Sequence, residues 1–142
     1  MRIQHQIDIA APPSRVWELT VDVEALPDHT PTMTKVERLE QTPLAIGSKV
    51  RIKQPAQRSK VWTITEFDEN RRFSWTTRSP GTTLTASHDL AETSAGTTNT
   101  LTVDMNGPLG AVFGVLVRRQ IQKALATENG AFKTAAETQQ ET

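Results

Sequence analysis

The sequence predicts an α+β fold: a seven-stranded, curved antiparallel sheet around one long C-terminal helix, with two short helices after the first strand. Three observations carry this prediction. Alternating or threonine-rich stretches recur between turn signals along the middle of the chain. One amphipathic stretch with a period near 3.6 follows them. A proline pair directly after the first alternating stretch marks a change from strand to helix.

Ile3, Ile7 and Ile9 alternate with Gln4, Gln6 and Asp8, which reads as a half-buried strand with His5 on its apolar side. Pro12 and Pro13 suit the first turn of a helix, where an amide hydrogen has no partner, and Val16, Trp17, Leu19, Thr20 and Val23 then give a short amphipathic helix. Asp22 is placed to cap a second short helix that Pro27 ends, and residues 28–33 read as a loop. Six strands are predicted next, over 35–39, 49–54, 61–67, 72–78, 82–91 and 97–106. Between them lie Pro43 and Gly47, Pro55 and Ser59, Asp68-Glu69-Asn70, Ser79-Pro80-Gly81, and Thr93 with Gly96. Turns this short imply consecutive antiparallel hairpins. Gly107 and Pro108 read as the cap and first position of the final helix, over about 108–136, with apolar residues at Phe113, Leu116, Val117, Ile121, Ala124, Leu125 and Phe132. Asn129-Gly130 could divide this helix; continuity is the favoured reading. Residues 1–137 then form one domain and 138–142 a polar tail.

Composition excludes several functions. Sixteen basic residues balance sixteen acidic ones in the 142-residue chain, whereas a nucleic-acid partner calls for a concentrated positive face. The absence of cysteine removes disulfides, thiolate nucleophiles and cysteine metal sites, and the three histidines lack a spaced carboxylate partner. No glycine-rich phosphate loop follows a strand, and no nucleophile elbow surrounds a serine. No metal or cofactor is expected. No apolar run approaches the ~20 residues of a membrane span. The polar N-terminus lacks the apolar region of a secretory signal, so the expected location is cytoplasmic, without stable membrane insertion. An oligomeric interface is not readable from the sequence.

Specific stretches add to the pattern. Ile9-Ala10-Ala11-Pro12 precedes Val16-Trp17, and Gly47-Ser48 leads into Arg51-Ile52-Lys53-Gln54-Pro55. Trp62-Thr63-Ile64, Phe73-Ser74-Trp75, Pro80-Gly81 and His88 follow; Gly107-Pro108-Leu109 opens the last helix, and Glu128 sits within it. In this order, over nearly the whole chain, they resemble the START-like (SRPBCC) superfamily, and within it the polyketide cyclase/dehydrase-like group. The resemblance implies the helix-grip fold, with the first and last strands paired and a cavity between sheet and helix. Families on this fold include cyclases, lipid carriers, hormone receptors and co-chaperones, so function rests on the site.

Hairpin geometry gives a provisional lattice, because turn positions fix register and side chains alternate between faces. Turns centred on 69–70, 80–81 and 94–95 set Ile64 opposite Trp75, Trp75 opposite Ala86, and Ala86 opposite Val103. Three inward rows result: Ile52, Ile64, Trp75, Ala86, Val103; Gln54, Trp62, Thr77, Leu84, Met105; and Val50, Glu66, Phe73, His88, Leu101. Predicted ligand contacts are Gln54, Trp62, Phe73, Trp75, His88, Met105 and, from the helix, Phe113. His88 and Glu66 are the candidates for acid–base catalysis.

Each has a plainer reading. A histidine on an apolar strand is usually a hydrogen-bonded core residue, and a glutamate near a hairpin is usually solvated. Tryptophans are often core filler. Gln54 beside Pro55 can simply mark a strand end. Glu128 reads as a surface or edge position, Arg51 as outward-facing, and Asp28 with His29 as an exposed loop pair. His5 and His88 fall two strands apart in the resembled fold, about 10 Å, too far to share a metal. Gly107, Gly110 and Gly114 allow either close packing on the sheet or room for a ligand.

Three functions compete. The leading expectation is binding of a small, largely apolar molecule (lipid-, aromatic- or polyketide-like) in an internal cavity. The second is a cyclase or dehydratase, and the third a partner-binding protein without a ligand.

Overall fold

The computed structural model describes residues 1–139. The first strand, β1 (Arg2–Ile9), runs into α1 (Pro13–Val21), whose first turn holds Pro13 as expected. A single 3₁₀ turn (Val23–Ala25) and a one-turn helix, α2 (Leu26–His29), follow. Here the sequence reading needs correction. Asp22 makes no side-chain cap, and Pro27 sits in the first turn of α2 rather than ending a helix. The absent amide hydrogen of proline is harmless at that position. Asp28 and His29 accordingly belong to a helical turn, with Asp28 exposed and His29 half-buried.

Six strands follow: β2 (Lys35–Arg38), β3 (Lys49–Lys53), β4 (Lys60–Asp68), β5 (Arg72–Ser79), β6 (Thr82–Thr93) and β7 (Gly96–Asn106). They form one antiparallel sheet in the order β1-β7-β6-β5-β4-β3-β2, with β1 paired to β7. The predicted pairs Ile64–Trp75, Trp75–Ala86 and Ala86–Val103 are all present. Two parts of the lattice differ. Val50 lies opposite Trp62, not Glu66, so β3 is displaced along β4 by an even number of residues and keeps its inward face. The β4–β5 turn has three residues, with Asn70 at φ 64°, and a bulge between Ile64 and Glu66 absorbs the extra residue. Beyond the bulge Phe67, not Glu66, faces inward, opposite Phe73.

The final helix, α3 (Gly110–Gln139), is continuous through Gly130 and extends past the predicted end, so Thr138 and Gln139 are helical. The rest of the predicted tail, residues 140–142, lies outside the described residues. The helix begins two residues later than predicted because Gly107 (φ 101°) turns the chain out of β7. A Cβ there would lie 2.7 Å from the Gly81 carbonyl oxygen, so only glycine fits. Gly110 packs its Cα against the Met105 carbonyl.

The main core lies where the short helices meet the sheet, and a smaller cluster joins Ile3 and Leu101 to Leu125 of α3. Val16, Trp17, Leu19, Val23 and Leu26 from the short helices pack with Ile64, Phe73, Leu90 and Phe132. Trp17 meets Phe67 edge-on at 5.2 Å between ring centroids. Each large apolar side chain removed from water here contributes about 1.5–3 kcal/mol. The C-terminal half of α3 is fixed to the main core. Its Glu137 carboxylate accepts from the Ala10 amide at 2.8 Å and from Lys133 at 2.6 Å, which holds that carboxyl below its ordinary pKa. The N-terminal half is different. Leu116 (71% exposed), Val115 and Val112 project away from the sheet, and of the predicted packing face Phe113, Leu116, Ile121, Leu125 only Leu125 is buried, with Ile121 half-buried. Nine residues separate Leu116 from Leu125, about half a revolution out of phase at 3.6 residues per turn.

Candidate functional site

Because core packing is concentrated at one end, the other end of the helix–sheet interface stays open. A cavity of about 790 Å³ runs along α3 between helix and sheet. Its helix wall is Phe113, Val117, Gln120, Ile121, Ala124, Leu125 and Glu128, a single stripe at helical spacing. The sheet wall presents Trp62, Trp75, Leu84, Ala86, His88, Leu101, Val103 and Met105, the inward members of the central strands. At the mouth lie Thr32, Met33, the exposed Phe113 edge of α3 and the turn Gln54-Pro55-Ala56-Gln57, closed by the Gln57 amide donating to the Gln54 carbonyl at 3.2 Å. Ala56 sits there at φ 61°, a left-handed conformation that strains a non-glycine residue by about 1–2 kcal/mol.

The predicted contacts divide cleanly. Gln54, Trp62, Trp75, His88, Met105 and Phe113 border the cavity. Phe73 does not. It is wholly buried behind the wall, its ring edge-on to Trp75 (4.9 Å) and His88 (5.7 Å), within the core that the short helices build on the sheet. Glu66 does not either. The bulge in β4 turns it to the outer face, where it is exposed and pairs with Arg72, which also holds Asp89. The outward placement predicted for Arg51 holds, in an exposed pair with Glu37.

His88 is 4% exposed, enclosed by the rings of Phe73, Trp75 and Phe132. Its Nδ1 is buried without a hydrogen-bond partner. Burial pushes its pKa down to about 4, weakly opposed by Asp89, so the ring is neutral at pH 7.

Sequence reasoning missed a second buried titratable group of the cavity wall. Glu128 is 9% exposed, not a surface position, and no donor among the described residues reaches its carboxylate. Burial pushes its pKa up to about 7. The available signal was its spacing, three residues after Leu125 and four before Phe132, which puts it on their stripe. Also missed was its neighbour Asn129, fully buried. Its amide donates to the His5 carbonyl (3.0 Å) and lies 2.9 Å from His5 Nδ1, while Asn99 donates to its Oδ1 at 2.8 Å. This cluster ties α3 to β1 and β7 and keeps His5 out of the cavity. Among the described residues no three His, Asp or Glu side chains converge as a metal site would require, and no helix is long and apolar enough to cross a membrane.

The comparisons with known proteins agree with this architecture. Residues 1–137 match the family described as "Polyketide cyclase / dehydrase and lipid transport". No curated protein matches the sequence. Solved structures do. TTHA0849 from Thermus thermophilus aligns with a TM-score of 0.76 at 17% identity, covering 97% of this chain and 98% of that one. A Thermobifida fusca protein solved by solution NMR gives 0.74 at 19% identity, covering 95% and 92%. Ara h 8.0201 gives 0.66 at 15% identity, covering 93% and 97%. At these identities the likeness establishes the helix-grip fold alone.

Proposed function

Because the chain belongs to the polyketide cyclase/dehydrase and lipid transport family of START-like proteins, we propose that it binds a small, largely apolar molecule in the space between sheet and α3. The observation that carries this reading is the cavity itself. Its roughly 790 Å³ falls within the ~300–1,000 Å³ of small-molecule sites, and its wall is apolar apart from a few placed polar groups. Trp62 and Trp75 supply broad apolar contact.

The test uses those same residues. An apolar dye such as ANS added to the native protein is expected to brighten and to quench tryptophan emission, with Trp62→Phe and Trp75→Phe each losing part of the quench. Native mass spectrometry of protein from its own host is expected to show a retained small molecule. Absence of both signals removes the binding reading and favours a partner-binding protein.

Acid–base chemistry at His88 is the second reading, favoured by a neutral imidazole that borders the cavity. A neutral imidazole in that position has the lone pair to accept a proton from a bound substrate. The two readings separate on the fate of the added molecule: a carrier releases it unchanged in mass and chromatographic retention, an enzyme as a dehydrated product of lower mass or a cyclised isomer of different retention.

A further inference from the structure

From the hydrogen-bonding character of the inner end of the cavity, we propose that the molecule held there carries a protonated amine on its apolar body. The inference rests on the reading that the cavity takes a small apolar molecule, and it names the class.

Among the described residues the titratable side chains bordering the cavity are Lys60, His88 and Glu128. Their positions are unequal. Lys60 is the first residue of β4, beside the mouth, opposite Ile52. Glu128 stands fifteen residues along α3 from Phe113, about 22 Å inward at 1.5 Å per residue. His88 stands six residues into β6 from Thr82, about 20 Å from the same end. Phe132, one turn beyond Glu128, lies against the His88 ring at 5.8 Å. The inner end therefore holds a carboxyl group and a neutral imidazole, with the one cation of the wall far away.

Of the two inner groups it is Glu128 that is open to a ligand: nothing among the described residues donates to its carboxylate, whereas the orphaned His88 Nδ1 is sealed within the wall. A buried carboxylate without a partner is strongly unfavourable, and a counter-charge with hydrogen bonds relieves it. An ammonium group offers three N–H donors and no acceptor, matching the two oxygens of the Glu128 carboxylate. A carboxylate or phosphate head would bring acceptors only and a second negative charge. Above pH 7, where Glu128 is ionised, a hydroxyl would satisfy one acceptor and leave the carboxylate charge uncompensated. The upward shift of Glu128 is the signature of that missing partner. The apolar body of the molecule then lies along Trp75, Leu84 and Met105 toward Phe113.

The experiment compares decylamine, decanol and decanoate as titrants of tryptophan fluorescence at pH 8, on the native chain, Glu128→Gln and Glu128→Leu. The expected result is that decylamine binds the native chain at least tenfold more tightly than decanol and at least a hundredfold more tightly than decanoate. Both variants then lose at least tenfold in amine affinity, while decanol changes by less than threefold. Calorimetry at pH 6 in two buffers of different ionisation enthalpy adds a second readout: amine binding releases close to one proton from the native chain and none from Glu128→Gln. Equal amine and alcohol affinities, or unchanged amine affinity in the variants, overturn the amine assignment while leaving the binding cavity standing. Failure of all three probes to bind overturns the cavity reading and the assignment with it.

Discussion

His88 and Glu128 are shifted in opposite directions by the same cause, and the consequences for stability oppose each other. His88 falls from 6.5 to about 4, so between those values the unfolded chain binds the extra proton and stability rises with pH. Glu128 rises from 4.5 to about 7, so the folded chain binds the extra proton and stability falls as pH rises through that window. Each shift corresponds to something on the order of 3 kcal/mol. Over pH 4.5–6.5 the two contributions nearly cancel in the native chain. Urea unfolding of Glu128→Gln is expected to show stability climbing relative to the native chain from pH 4.5 to about 7. His88→Leu is expected to show the reverse, a decline relative to the native chain from pH 4 to 6.5. Parallel pH profiles for all three proteins would contradict the burial of both groups. The sequence exposed one member of this pair only. His88 was legible because the turns of β5–β6 and β6–β7 fix its register between Phe73 and Leu101. Glu128 was not, since a glutamate on an apolar helix stripe is ordinarily at its edge, and only the fold shows that this stripe borders a void. Glu66 was misplaced because a bulge inserts one residue without any sequence signal of its own, and one residue reverses the face.

The elements are unevenly fastened, and α3 shows this within a single helix. Its second half is locked by Phe132, Ala136 and the Asn129 cluster, while Val112, Val115 and Leu116 in the first half touch no core. Replacing Asn129 by leucine removes donors and acceptors that Asn99 and the His5 carbonyl use. Buried groups left unpaired cost about 1–3 kcal/mol each, so Asn129→Leu is expected to lower unfolding free energy by about 2–4 kcal/mol. The exposed neighbour Thr127→Ala should stay within about 0.5 kcal/mol. Denaturant titration of both variants checks this, and equal effects would remove the anchoring role. The strands were read to within two residues because proline, glycine and asparagine punctuate them, and the even displacement of β3 along β4 left its inward face intact. What the sequence withheld was tertiary. Pro27 opens α2 instead of closing a helix, and the apolar residues at the start of α3 face away from a sheet that periodicity alone would set beneath them.

At the scale of the whole molecule, packing is concentrated at one end and space is kept at the other, so stability and binding compete for the same volume. Ala86 marks the point of competition. It lies between Trp75 and Val103 in the central row of the sheet, half-buried on the cavity wall where the flanking residues are large. In a close-packed interior a larger side chain at such a position would force neighbours off their rotamers, at about 1–3 kcal/mol. Beside a void it gains contacts instead, and cavity filling commonly adds about 0.5–2 kcal/mol. Ala86→Leu is therefore expected to stabilise the empty protein by about 1 kcal/mol in urea unfolding and to weaken binding of ANS or decanol at least tenfold. A ligand present at a hundred times its dissociation constant stabilises the native chain by about 2.7 kcal/mol through mass action. The native chain with ligand should thus overtake Ala86→Leu with ligand, although it starts below it without. Destabilisation of Ala86→Leu by more than 1 kcal/mol would mean that this region is already filled. Unchanged binding in a stabilised variant would move the ligand away from the central row of the sheet.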